Sequence, residues 1–135
     1  MSYSIKDLDG IDENAVELLR AAGIRTTLKL LEAAKDPKGR KSLACRTGLD
    51  EKRLLQWANT ADRMRIKGLG PDYAELLRVV GVDTVRELKH RNADRLLKAI
   101  RDANAERRLV KAPPSQQAIR RWIEQAKRLP LKISY

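Results

Sequence analysis

Two glycines bracketing one apolar residue and followed at once by proline, Gly68-Leu69-Gly70-Pro71, limit this chain more than any other feature. The glycines let the backbone turn sharply and come close to another surface. Pro71 suits the first position of a helix, where its missing N–H is no loss, and Gly81 suits the left-handed residue that closes one. Residues 65–88 therefore read as a helix end, a tight turn, a helix opening on Pro71, a stop at Gly81 and a new start at Thr84. The first-turn amides of the helix after the turn are left free, which makes them a seat for an anion.

The pattern occurs twice. Gly68 and Gly10 are 58 positions apart, and the same offset aligns Leu69 with Ile11, Ala74 with Val16, residues 75–78 with 17–20, Gly81 with Gly23 and Thr84 with Thr26. A second offset of 65 aligns Leu54 with Ile119, Trp57 with Trp122, Ala61 with Ala126 and Arg63 with Arg128, so seven residues enter between the two registers. A self-similar period of this size marks a repeat architecture. The expected units are 1–64 and 65–135. Each alone is near the size where a core becomes marginal, so the two are expected to share one core.

Ile66, Gly68, Leu69, Gly70, Ala74, Leu76 and Leu77 fit the pattern hydrophobic-x-Gly-hydrophobic-Gly-x-x-x-Ala followed by paired aliphatics. That stretch resembles a helix-hairpin-helix motif, and the resemblance implies a grip on DNA phosphate through the hairpin amides without base reading. The tandem as a whole is similar to a bacterial helix-hairpin-helix domain family of unknown function (DUF4332-like), over nearly the full length. What this implies is an all-α, SAM-domain-like bundle of two repeats related by pseudo-two-fold symmetry around the two tryptophan helices.

Taken in order, Ser4 to Asp7 spells a capping box that starts a short helix at Ile5, with Ile5 and Leu8 inward. A helix over 13–22 follows, with Ala15, Leu18, Leu19 and Ala22 at the spacing of a buried stripe. Gly23 ends it, and Thr26 caps a short helix carrying Leu28, Leu30 and Leu31. Asp36-Pro37 restarts the chain into a helix reaching about Thr47, with Lys38, Arg40, Lys41 and Arg46 mostly outward and Leu43 and Ala44 inward. Asp50 caps the next helix, whose stripe is Leu54, Trp57, Ala58 and Ala61 and which is expected to run on into Met64 and Ile66. In the second copy, Thr84 to Glu87 is a capping box with Val85 and Leu88 inward. Asn92 caps a helix with Leu96, Leu97, Ile100 and Ala103 inward. Pro113-Pro114 breaks that helix, and Ser115 caps a final one with Ile119, Trp122, Ile123, Ala126 and Leu129 on one face. Residues 131–135 form a short tail that the pattern does not place.

The two hairpins differ in charge. Asp12 and Glu13 stand where a phosphate would sit in the first, whereas the second keeps both glycines. Residues 1–35 hold 5 basic and 6 acidic side chains, and residues 59–93 hold 7 and 5. The second hairpin is thus the candidate phosphate contact: Gly68, Leu69, Gly70 and Pro71 for close backbone approach, Arg65 and Lys67 for charge at the mouth. The whole chain, with 29 Lys and Arg against 18 Asp and Glu, carries a net charge of +11 and attracts polyanions. The basic run Lys35, Lys38, Arg40, Lys41 and Arg46 has two readings, a track for a phosphate backbone and, the favoured one, a solvated face. Trp122, although beside Arg120 and Arg121, reads as core because it matches Trp57, and Tyr73 as core with its hydroxyl at the surface.

The readings that follow are DNA-backbone binding without sequence specificity, and alternatively a protein-interaction module whose basic surface meets an acidic protein. Catalysis, cofactor and metal find no motif: there is no phosphate loop, nucleophile elbow or zinc spacing. Cys45 and His90, the single cysteine and histidine, make neither a disulfide nor a metal site, and Cys45 reads as half-buried. No run approaches a membrane span and no signal-like segment opens the chain, so a cytoplasmic location is expected.

Overall fold

The computed structural model describes residues 2–135. It is all-α. Among those residues a short 3-10 turn, Ile5–Asp7, precedes eight α-helices: α1 Glu13–Ala21, α2 Thr27–Ala34, α3 Pro37–Thr47, α4 Glu51–Arg63, α5 Gly70–Val79, α6 Val85–Leu88, α7 Ala93–Arg107 and α8 Gln116–Arg128.

Short polar side chains start nearly all of them. Asp12, Thr26, Asp36, Asp50, Asn92 and Ser115 each accept a first-turn N–H of the helix they precede, satisfying donors that have no intrahelical partner. Thr84 and Glu87 form the capping box at α6. The helix ends are equally local. Gly23 and Gly81 have φ of +86° and +90°, and behind them Ile24 N–H reaches the Leu19 carbonyl at 2.9 Å and Val82 N–H the Leu77 carbonyl at 2.8 Å. These six-to-one bonds are the Schellman closure.

Hydrogen bonds recur at the same 58-residue offset through the glycine turns. Leu8 N–H donates to Ile5 as Ile66 does to Arg63, and Ile11 N–H to Leu8 as Leu69 does to Ile66, the last two both at 3.3 Å. Gly10 and Gly68 both have positive φ, +76° and +83°. Further along, the extra seven residues resolve into parts. The path from Thr26 to the Asp36 cap is two residues longer than that from Thr84 to Asn92, α7 is one turn longer than α3, and the link from Arg108 to the Ser115 cap is five residues longer than that from Gly48 to Asp50. The net addition is spent on lengthening α7 and the loop after it.

The apolar stripes pack α2 on α4 and α7 on α8, with α5 against both α4 and α7. Buried apolar side chains from Ile5 to Ile133 form one contiguous cluster. Its main members are those expected, including both tryptophans; Leu18, Ala22, Ala103 and Leu129 sit at its margin. Other expectations are corrected. α4 stops at Arg63, and residues 64–69 form turns leading to α5. Arg40 points inward, 5% exposed, because its guanidinium caps the end of α2 at the Ala34 carbonyl (3.0 Å) and holds the Ser134 carbonyl (2.8 Å). Cys45 is exposed rather than half-buried. The tail lies back across the first half, with Ile133 buried and Ser134 N–H on the Lys35 carbonyl at 2.8 Å.

Candidate nucleic-acid interface

α5 is the one α-helix among the described residues whose start has neither a side-chain cap nor a capping box. Its N-cap is Leu69, whose side chain has no oxygen to offer, and Pro71 follows in the first turn. No group of the chain accepts from the N–H of Gly68 or of Gly70 in the described hydrogen bonds. Gly68 is exposed and Gly70 partly so, and both hold left-handed φ, +83° and +69°, where a side chain is strained. Amides unclaimed by the protein at an exposed helix start form an anion seat. Asp72 stands in the same turn and opposes that tendency.

At the other glycine turn the seat is filled. Asp12 Oδ1 accepts from Ala15 N–H at 2.7 Å and Oδ2 meets Arg53 at 3.4 Å. The helix amide, more than Arg53, holds this carboxyl below its ordinary value. Its negative charge at neutral pH occupies the place a phosphate would take.

The expected site residues do not all gather at the second turn. Gly68, Leu69, Gly70 and Pro71 shape it, and Leu69 is itself buried in the core. Lys67 is exposed beside it. Arg65 is not at the mouth: it is buried, with Nε and Nη2 on Asp62 Oδ1 at 2.9 and 2.6 Å. A guanidinium committed to a buried carboxylate is not free for a phosphate. Trp57 and Trp122 are core, as read from sequence; Arg53 lies 4.7 Å over the Trp57 ring and Tyr73 packs 5.4 Å from Trp122.

Other residues border the turn that sequence reasoning left out. Gln125 of α8 accepts from Lys67 N–H at 2.9 Å and donates to the Lys67 carbonyl at 3.3 Å. This pins α8 to the turn and brings its Arg121 and Arg128, four residues before and three after Gln125, to the same side. Both are exposed and line a shallow groove with Gln117, Arg120 and Glu124. On the other side of the turn lies the lengthened loop, at Leu109, Val110 and Lys111. The available signal was charge: residues 94–135 hold eleven basic and four acidic side chains, most of the net +11.

No group of three His, Cys, Asp or Glu side chains among the described residues is arranged to hold a metal ion. No helix among them is long and apolar enough to cross a membrane. The fold and this turn define an all-α domain with one uncapped, glycine-flanked helix start set beside a basic helix. The chain belongs to the DUF4332 family: that family's model, described as a domain of unknown function, matches residues 9–129. No curated protein and no solved structure matches it.

Proposed function

We propose that the chain is a tandem helix-hairpin-helix protein, its two repeats related by a pseudo-two-fold, and that its second hairpin binds the DNA backbone without reading sequence. The observation that carries the reading is the uncapped start of α5 in a chain that caps every other α-helix described. Recurrence of the turn hydrogen bonds at one offset supports the repeat. Lys67, Arg121 and Arg128 around the turn supply the diffuse positive charge that phosphate contacts draw on. Asp12 leaves the first hairpin structural. The role is one of binding, non-enzymatic, in the cytoplasm.

The test is fluorescence anisotropy of a labelled duplex titrated with the full chain at about 50 and 200 mM salt. A contact through several phosphates weakens by roughly tenfold or more over that range. Gly70→Glu places a carboxylate in the seat and is expected to lower affinity further; Gly70→Ala, which shares the left-handed strain without the charge, is expected to lower it less. Binding that falls with salt and ignores both variants would move the contact to the basic surface alone. No binding at the lower salt would discard the reading in favour of an acidic protein partner.

A further inference from the structure

Beside the second turn stands a loop that forms a wall; its counterpart near the first, Gly48 to Asp50, is too short to do so. Leu69, Gly70, Pro71, Asp72 and Tyr73 form one side of a groove of about 480 Å³, and Leu109, Val110 and Lys111 form the other. That wall lies in the loop that the second copy lengthens by five residues. It is held in place, since buried Asn104 donates to the Val110 carbonyl and accepts from the Val110 N–H, both at 3.1 Å. Arg108, which leads into it, has φ of +51°, the one non-glycine positive φ among the described residues. The groove is mostly apolar, with Leu109, Val110, Pro71 and Tyr73 all partly exposed, and a lysine stands at its rim.

A continuous duplex uses only half of this. Its phosphates can reach the α5 amides, but its bases are paired and stacked away from any surface that holds the backbone. A single strand presents phosphate and unpaired base together; proteins that bind single strands combine a cationic groove with aromatic side chains for the bases, and pockets for an extruded base use aromatic or apolar walls. We propose that the groove between α5 and residues 109–111 takes an unpaired base whose phosphate sits at the second hairpin, so that the chain prefers single-stranded DNA to duplex. Lys111 sits at the rim as a partner for the neighbouring phosphate, and Asp72 limits how many phosphates fit. This inference rests on the backbone-binding reading above.

Three labelled probes test it with the unaltered full chain at low salt: a 20-nucleotide mixed-sequence single strand, the same strand with its bases removed at successive abasic positions, and the matching blunt duplex. The intact strand is expected to bind at least about fivefold more tightly than either of the others, the low end of what one seated base contributes. A Leu109→Ser, Val110→Ser double variant, checked by circular dichroism and thermal melting, is expected to lose that advantage while binding duplex as before. Equal binding of intact and abasic strands, or tighter binding of duplex, overturns the groove proposal and leaves the backbone reading in place. If none of the three probes binds, both fall together.

Discussion

Arg63 and Asp83 meet where the two halves of the chain join: Nη1 of the arginine donates to the aspartate's main-chain carbonyl at 2.6 Å. The same guanidinium gives Nε to the Ala74 carbonyl at 2.9 Å and Nη2 to Thr60 Oγ1 at 3.0 Å. It is 1% exposed, and burial pulls its pKa down to about 10, which leaves it charged at neutral pH. The first half makes the matching joint with backbone alone, Ile5 N–H to the Arg25 carbonyl at 3.2 Å. Residue 63 cannot, because it ends α4 and its backbone serves that helix and its turn. A long side chain takes over.

Arg63→Met is therefore expected to destabilise the fold by about 2–4 kcal/mol, from lost donors to buried carbonyls and imperfect filling of the space. Urea unfolding followed by circular dichroism measures it. Arg63→Lys, which keeps the charge but loses the planar fork that spans three separate acceptors, is expected to recover only part. A loss under about 1 kcal/mol for the methionine variant would mean the joint is held by apolar packing alone.

Asp62 does the companion work one residue earlier. It is buried, accepts twice from Arg65 and takes the Val85 N–H at 2.8 Å, closing the start of α6. Asp62→Ala leaves a buried guanidinium and an amide without partners, and such breakage is expected to destabilise by about 3–5 kcal/mol. Asp62→Asn keeps an acceptor and is expected to fall between the two. Should both variants match the parent in urea, Arg65 would have to be free, and its place in a phosphate site would reopen.

Much of this fold is local and hence legible in the sequence. Caps such as Asp36-Pro37 and Asn92, stops such as Gly81, and the stripe around Trp122 depend on residues within one or two turns of each other. What escaped depends on where the folded backbone aims a side chain, whether its partner is near or far along the chain. Arg40 lies in a run of lysines and arginines that looks solvated, and it turns inward because residue 134 comes back to meet it. Arg65 reads as hairpin charge, and only the backbone path at 62–65 commits it to Asp62. The candidate site divides the same way: the glycine turn was visible at once, whereas Arg121 and Arg128 join it through Gln125, 58 residues from Lys67.

The pH response at the first glycine turn follows from Asp12. Its carboxyl lies below the ordinary 3.8, held there first by the Ala15 amide. A depressed value in the folded state means the unfolded chain takes up the proton first as pH falls. The stabilisation is thus present above about pH 4 and is lost as pH drops through the folded value. Asp12→Asn still caps the helix but cannot titrate there. The stability gap between parent and variant is expected to hold steady from about pH 7 to 5 and to narrow below about pH 4, read from urea midpoints at each pH. Asp9 runs the other way, raised by burial and by Glu75, so its contribution appears in both proteins and cancels in the comparison. A gap that does not move with pH would leave the Asp12 charge without a role at this helix.

The tail tests whether residues 131–135 are part of the fold or merely lie on it. Arg40 Nη2 to the Ser134 carbonyl, Ser134 N–H to the Lys35 carbonyl and Lys132 to Glu32 at 3.2 Å surround the buried Ile133. The two bonds at Ser134 and the apolar anchor should act together, since each keeps the other seated, whereas the exposed Lys132–Glu32 pair adds little. Arg40→Ala and Ile133→Ala are accordingly expected to couple in a double-mutant cycle, with an interaction in the range of about 0.5–3 kcal/mol. Amide hydrogen exchange adds a local reading: Arg40→Ala is expected to speed exchange at Ser134 while leaving the Ile24 and Val82 amides, in the Schellman closures, protected. Additive losses with unchanged exchange at Ser134 would mean that Arg40 serves only as the cap of α2, and that the tail is held by Ile133 without it.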